Sequence, residues 1–103
     1  MPVVSIMRVS GDPDTLAAGI RDHIAPVADQ LAEKHGGLLN VVARTDDGVM
    51  VINLWQTDAG RHAMAEEPEI QEALRAAGFP EPRFEGYEVL ALRKGSGLEA
   101  AVS

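Results

Sequence analysis

Apolar residues lie on both sides of the third predicted strand, and this double alternation constrains the fold more than any other feature. Val49 and Val51 point to one face, whereas Met50, Ile52 and Leu54 point to the other, because successive side chains alternate along a strand. An antiparallel sheet commonly turns one polar face to water. This chain instead needs a cover for each face of its sheet.

Six elements can be predicted from the apolar patterning and from the Gly and Pro residues that separate the elements. Runs rich in β-branched residues predict four strands, and apolar residues at helical spacing predict two helical regions. The strands cover 3–9, 38–44, 49–55 and 84–93, and the helices cover 12–35 and 57–78. This β-α-β-β-α-β order predicts an α+β ferredoxin-like fold with a four-stranded antiparallel sheet.

Proline residues interrupt both predicted helices. Pro26 lies inside the first helix and should kink it, since it lacks the N–H that would bond to the Asp22 carbonyl. Pro68 breaks the second helix, which then restarts. A further proline-containing loop is expected between Phe79 and Arg83.

The helices can cover one face of the sheet, and a second copy of the chain is the simplest cover for the other. The sequence therefore predicts a homodimer, of dimeric α/β-barrel type, that pairs through the sheet face. Residues 94–103 offer an alternative cover, although Leu98 and Val102 are their sizeable apolar side chains. We predict one domain over 1–93 and a flexible C-terminal tail over 94–103.

Charge and composition exclude several classes of protein. A net charge of −7 disfavours binding to nucleic acid and to an anionic membrane surface. The chain has no cysteine, and its N-terminus lacks the pattern of a signal peptide, so we predict a cytoplasmic protein. No HExxH motif, glycine-rich phosphate loop or Ser-His-Asp order is present, and no metal or cofactor is predicted.

The segment Val51–Trp55, continuing into Gln56–Ala59, carries a family resemblance. A strand that ends in Trp, followed by a polar cap and an acidic helix start, resembles the antibiotic-biosynthesis-monooxygenase-like group of the dimeric α/β-barrel superfamily. The order of elements extends the resemblance over 3–93. It implies homodimers whose sheets face each other, with a ligand pocket between sheet and helices. Some members are cofactor-independent oxygenases of polycyclic phenols, and others bind and degrade haem.

The haem-degrading members of this group use an Asn in the first strand, the Trp that ends the third strand, and a His in the second helix. Trp55 matches the second of these. The first strand has no Asn, and His62 occurs earlier in its helix than the family residue does. Haem is therefore a less favoured ligand than a small aromatic or polyketide-type molecule.

Asn53, Trp55 and His62 are the candidate catalytic residues. Asn53 and Trp55 would orient a phenolate, and His62 would move a proton. Each has a structural alternative: Trp55 can staple the strand end to the helix, Asn53 can satisfy a backbone group, and His62 can be a partly buried, hydrogen-bonded side chain.

Ser5, Met7 and His23 are candidates for lining the same pocket. Ser5 and Met7 alternate with apolar residues on the first strand, and His23 flanks the apolar stripe of the first helix. Two functions stay open from the residues: a cofactor-independent monooxygenase, or a non-catalytic homodimeric module that binds a hydrophobic molecule or has a structural role.

Overall fold

The computed structural model describes residues 1–79 and 83–102, so part of the loop predicted between Phe79 and Arg83 lies outside the described residues. The predicted α+β ferredoxin-like order is confirmed. The strands are β1 (Val3–Ser10), β2 (Gly37–Arg44), β3 (Gly48–Trp55) and β4 (Arg83–Glu88), and the α-helices are α1 (Pro13–Gly19), α2 (Ala25–His35), α3 (Asp58–Glu66), α4 (Pro68–Ala76) and α5 (Leu98–Val102). Among these helices, none has both the length and the apolarity that crossing a bilayer requires.

The four strands form one antiparallel sheet in the order β2-β3-β1-β4. Val3 lies opposite Trp55 of β3 and Glu88 of β4, and Met7 lies opposite Val51. Residues directly opposite each other share a face of the sheet. This register places the odd-numbered residues of β1 and β3 on the face that the helices cover.

Just before Pro26, where a kink was predicted, the structure has a π-helical turn, Ile20–Ile24, between α1 and α2. The Ala25 N–H donates to the carbonyl of Ile20, five residues back rather than four. Pro26 itself lies in the first turn of α2, where a missing N–H costs little.

Two apolar clusters fill the space between the sheet and the helices. One joins the later part of β1 and the start of β3 to α1, and the other joins the opposite strand ends to α3 and α4. Their buried members are Met7, Val9, Leu16, Val49 and Val51 in the first cluster, and Val3, Trp55, Met64 and Ile70 in the second. Burying a large apolar side chain contributes about 1.5–3 kcal/mol, so these clusters are the main source of stability.

The face of the sheet turned away from the core is also largely apolar. We call it the open face; its central residues include Val4 and Ile6 of β1 and Ile52 of β3, all half-buried by their neighbours. Val41, opposite Ile52 on the edge strand β2, is 41% exposed. The double alternation read from the sequence is therefore present in the folded chain.

One corner of the open face is polar. Glu85 of β4 accepts a hydrogen bond from the Tyr87 hydroxyl at 2.5 Å and another from Arg8 Nε at 3.0 Å. The bond from Tyr87, followed by that from Arg8, lowers the pKa of Glu85 below its usual value. The carboxylate thus keeps its charge and holds both neighbours in place.

The close approach of α2 to α3 depends on Gly60. A Cβ at this position would lie 2.1 Å from the His35 carbonyl oxygen, so a side chain would force the helices apart. His35 also joins the end of α2 to the α3–α4 junction, since its Nε2 lies 2.8 Å from Glu67 Oε1. The hydrogen bonds from His35 and then Lys34 lower the pKa of Glu67.

The last strand is shorter than the strand predicted from the alternation: β4 ends at Glu88, whereas the prediction continued to Arg93. The Val89 N–H still donates to the Pro2 carbonyl at 2.9 Å, but Pro2 has no backbone N–H with which to return the second hydrogen bond of the pair. Beyond this point Leu90 is 88% exposed. The segment predicted as a flexible tail contains the short helix α5, and its flexibility stays a prediction.

Replacing Gly60 with Ala should destabilise the fold. We expect the free energy of unfolding to fall by about 1–3 kcal/mol, the usual cost of forcing extra atoms into a packed contact. Urea denaturation of the two proteins measures this difference. Gly97→Ala is the matched control, because no atom lies within 4 Å of the added Cβ. Equal stability of Gly60→Ala and the wild type would show that α2 and α3 can separate without cost.

Candidate functional site

A polar row crosses the helix-covered face of the sheet between the two apolar clusters. It consists of Asn40 of β2, Asn53 of β3 and Ser5 of β1, and it ends at Gly86 of β4, which has no side chain; each lies opposite the next in adjacent strands. Side chains opposite each other in neighbouring strands are about 4.5–5.5 Å apart at Cβ. The row therefore brings polar groups from distant parts of the sequence into one line.

Trp55 lies against this row, but its ring is buried in the second apolar cluster and only 6% exposed. Its indole N–H donates to Ser5 Oγ at 3.1 Å. Ser5 is itself buried, so each polar group satisfies the other. The hydrophobic contacts of Trp55 with Met64 and Ile70 match the stapling role that the sequence left open.

Asn53 pairs with Asn40, whose Nδ2 donates to Asn53 Oδ1 at 2.7 Å. Asn53 Nδ2 forms no hydrogen bond to the described residues. Because none of their buried side-chain nitrogen or oxygen atoms is without a partner, Nδ2 must be open to solvent. Asn53 thus keeps an amide donor that no described residue uses.

A cleft of about 550 Å³ opens at the other end of the row, between the β1–β4 side of the sheet and the start of α3. This volume is within the range of small-molecule sites. Gly86 belongs both to the polar row and to the cleft wall. The wall consists of Met1, Val3, Thr57, Asp58, Arg61, Gly86, Tyr87 and Glu88.

Three side chains of α3 form a charged group at this wall. Asp58 Oδ1 accepts a hydrogen bond from Arg61 Nε at 3.0 Å, and Asp58 Oδ2 lies 3.2 Å from His62 Nε2. The bond from Arg61 is the largest cause of the lowered pKa of Asp58. His62 Nε2 also lies 3.1 Å from Arg61 Nη2, so it donates to Asp58 when protonated and accepts from Arg61 when not.

The residues predicted from the sequence fall into four places. Ser5, Asn53 and Trp55 come together in and beside the polar row. His62 is exposed and stands next to Arg61 on α3. Two candidates lie apart from both groups: Met7 is buried in the first apolar cluster, and His23 is exposed on the π-helical turn.

Three residues of the site were missed by sequence reasoning: Asn40, Arg61 and Gly86. Asn40 could have been found by pairing β2 with β3 as a hairpin, because that pairing sets Asn40 opposite Asn53. Gly86, a glycine inside a predicted strand, is a recognised sign of close approach by another group. Nothing local marks Arg61, because its contact with Gly86 joins residues distant in the sequence.

The described residues contain no group of three or more His, Asp or Glu side chains placed to hold a metal ion. The potential ligands nearest the cleft are Asp58, His62 and Glu88. The first two are already engaged with each other and with Arg61.

No protein-family model matches the sequence, and no curated protein matches it significantly. Solved structures nevertheless share its fold. A Deinococcus radiodurans protein provisionally described as an antibiotic biosynthesis monooxygenase is 18% identical with a TM-score of 0.64, and the match covers 94% of this chain and 100% of that one. A Nitrosomonas europaea protein of unknown function, NE2512, is 25% identical with a TM-score of 0.64, covering 93% and 96%.

SnoaB from Streptomyces nogalater, described as a cofactor-independent oxygenase, is a further structural neighbour. It is 15% identical with a TM-score of 0.64, and the match covers 88% of this chain and 93% of that one. The chain therefore has the ferredoxin-like α+β fold of the antibiotic-biosynthesis-monooxygenase-like proteins, as the segment ending at Trp55 indicated.

Removing the Ser5 hydroxyl should destabilise the protein through Trp55. In Ser5→Ala the indole N–H loses its acceptor in a buried place, which costs about 1–3 kcal/mol of unfolding free energy. In a double-mutant cycle with Trp55→Phe, measured by urea denaturation, the two losses should not add. Ser10→Ala is the control and should change stability by less than about 0.5 kcal/mol, since Ser10 is exposed. Strict additivity of the Ser5 and Trp55 changes would contradict the hydrogen bond.

Proposed function

We propose that this protein is a cofactor-independent monooxygenase-like enzyme that holds a small aromatic or polyketide-type substrate between its sheet and α3. The observation that carries the proposal is the cleft, which meets the polar row at Gly86 and has a volume suited to such a molecule. The fold shared with SnoaB supports the class of reaction.

The reaction needs no external reductant when the substrate supplies the electrons. Oxidation of an activated methylene to a carbonyl consumes one dioxygen molecule: one oxygen atom enters the product, and the other leaves as water with the two hydrogens. The protein must then ionise the substrate and hold the resulting phenolate or enolate for attack by dioxygen. Orientation and proton transfer are the contributions that side chains can make.

Asn53 and His62 are the side chains we assign to these tasks. Asn53 Nδ2 is an amide donor that is not used within the described chain, and because Asn53 is not part of the cleft wall, a substrate oxygen reaches it when the substrate extends along the polar row past Ser5. His62 is exposed beside the cleft wall and can pass a proton to solvent. Trp55 contributes by fixing the position of Ser5 and the end of β3.

A second function is favoured by one specific observation, the burial of Trp55. An indole that already donates to Ser5 cannot donate to a ligand without breaking that bond. This favours a non-catalytic homodimeric module, in which the same cleft would bind a hydrophobic molecule without turnover.

Oxygen uptake with a panel of polycyclic phenols tests the proposed function. We expect saturable binding, oxygen consumption without added cofactor, and a roughly 10²-fold loss of kcat in Asn53→Ala, as for removal of a donor to a developing anion. Gln71→Ala on the exposed face of α4 is the control for expression and folding.

Each contrary result of this experiment has a distinct meaning. Saturable binding without oxygen uptake would favour the non-catalytic module. Uptake that survives in Asn53→Ala would remove Asn53 from the mechanism. Absence of binding by every phenol would reject the cleft as the site.

We also propose that two copies pair through the open face, because its apolar side chains would otherwise face water. The wild type should sediment at twice the chain mass. Val41→Glu places a charge on this face and should shift the protein towards the monomer, whereas Gln71→Glu on α4 should not. A wild type that sediments as a single chain in dilute solution would refute the pairing.

A further inference from the structure

Arg61 differs from the exposed arginines of this protein in how little of its side chain reaches solvent. Its side chain is 22% exposed, whereas those of Arg21 and Arg75 are 73% and 74% exposed. Removing a guanidinium from water is costly unless hydrogen bonds compensate for the lost hydration. Arg61 is therefore held in the cleft wall by specific contacts.

Gly86 provides the space in which the guanidinium of Arg61 lies. A Cβ on Gly86 would be 3.0 Å from Arg61 Cζ and 3.2 Å from its Nη1. The planar group thus rests directly against the backbone of β4. A larger residue at this position would move the guanidinium by a few tenths of an ångström.

Asp58 fixes one edge of the guanidinium and leaves another free. Arg61 Nε and Nη2 contact Asp58 Oδ1 at 3.0 and 2.9 Å, and Nη2 also meets His62. Within the described part of the chain, Nη1 has no hydrogen-bond partner. A guanidinium has five N–H donors, so both N–H groups of Nη1 are available to a ligand.

The charges around Arg61 restrict which anion can bind. Asp58 and Glu88 belong to the same wall and would repel a compact dianion such as inorganic phosphate. A flat molecule with one delocalised negative charge is repelled less, and its ring can contact the apolar groups of Val3 and Met1.

We propose that Arg61 Nη1 binds the ionised oxygen of a phenolate or enolate substrate, that Gly86 admits the guanidinium to this position, and that Asp58 is a positioning residue. This inference rests on the proposed function, because it names the form of the substrate that the same cleft takes. It assigns to Arg61 the stabilisation of the anion that must react with dioxygen.

The test measures the affinity for two polycyclic phenols whose own pKa values differ widely, and for their methyl ethers, across a range of pH. For the wild type, affinity should rise with ionisation of the ligand, and the midpoint should follow the pKa of each phenol. The methyl ethers should show no such rise. Protein groups that face Arg61 and titrate themselves are His62 and Asp58 of α3, Tyr87 and Glu88 of β4, and the amino group of Met1. Their contribution would be common to all four ligands.

Three variants complete the experiment. Arg61→Gln should lower phenolate affinity by about 10- to 100-fold, the worth of a charge-assisted hydrogen bond, and abolish the dependence on ligand ionisation. Gly86→Ala should also weaken phenolate binding while leaving the unfolding free energy unchanged or higher, because Ala is accepted in an extended strand. Arg75→Gln is the matched control, since Arg75 forms the same i,i+3 ion pair on α4 at a place remote from the cleft wall.

The outcomes separate this inference from the proposed function. Two results would overturn the role of Arg61 and leave the cleft as a binding site. One is saturable binding whose pH midpoint does not depend on the ligand. The other is a phenolate affinity that is the same in Arg61→Gln as in the wild type. Loss of phenolate preference in Arg75→Gln would equally overturn the role of Arg61. Absence of binding by every phenol would reject the proposed function and this inference together.

Discussion

The register of β1 against its two neighbours is the constraint on which the rest of the structure depends. Ser5 lies opposite both Asn53 and Gly86, and from this alignment follow the polar row and the position of the cleft. Because side chains alternate along a strand, a slip of one residue would turn Ser5 outward and bring Ile6 under the helices. The hydrogen bond from Trp55 to Ser5 ties the correct register to the packing of α3 and α4.

The fold could be predicted because its signals are local and repeated. Alternation in β1 and β3 and the break at Pro68 each reflect backbone preferences that act over a few residues. The end of β4 could not be predicted in this way. Its alternation continues past Glu88, but a strand also needs hydrogen bonds to its neighbour, and Pro2, whose carbonyl accepts from Val89, has no N–H to donate in return.

The site was only partly predictable, and the reason is again physical. Asn53 and Trp55 stand out within one strand, as an amide and an indole among aliphatic residues. Arg61 does not, since an arginine on the second turn of a helix is ordinarily a solvated side chain. Its burial depends on the absence of a side chain at Gly86, and only the folded sheet brings that glycine beneath α3.

In the functions proposed for this chain, the two faces of the sheet have different tasks: dimerisation for the open face, and substrate binding for the face that the helices cover. The open face offers apolar area and one fixed polar corner, at Glu85, whereas the helix-covered face has donors on Asn53 and Arg61 that no described residue uses. A polar row between two apolar clusters forgoes the packing that aliphatic residues would supply at the same positions. This apolar packing is absent at Ser5, which sets the register, and at Gly86, where the row meets the cleft. Trp55 therefore belongs to the scaffold through its bond to Ser5, whereas the proposed function rests on Asn53 and the charged group on α3.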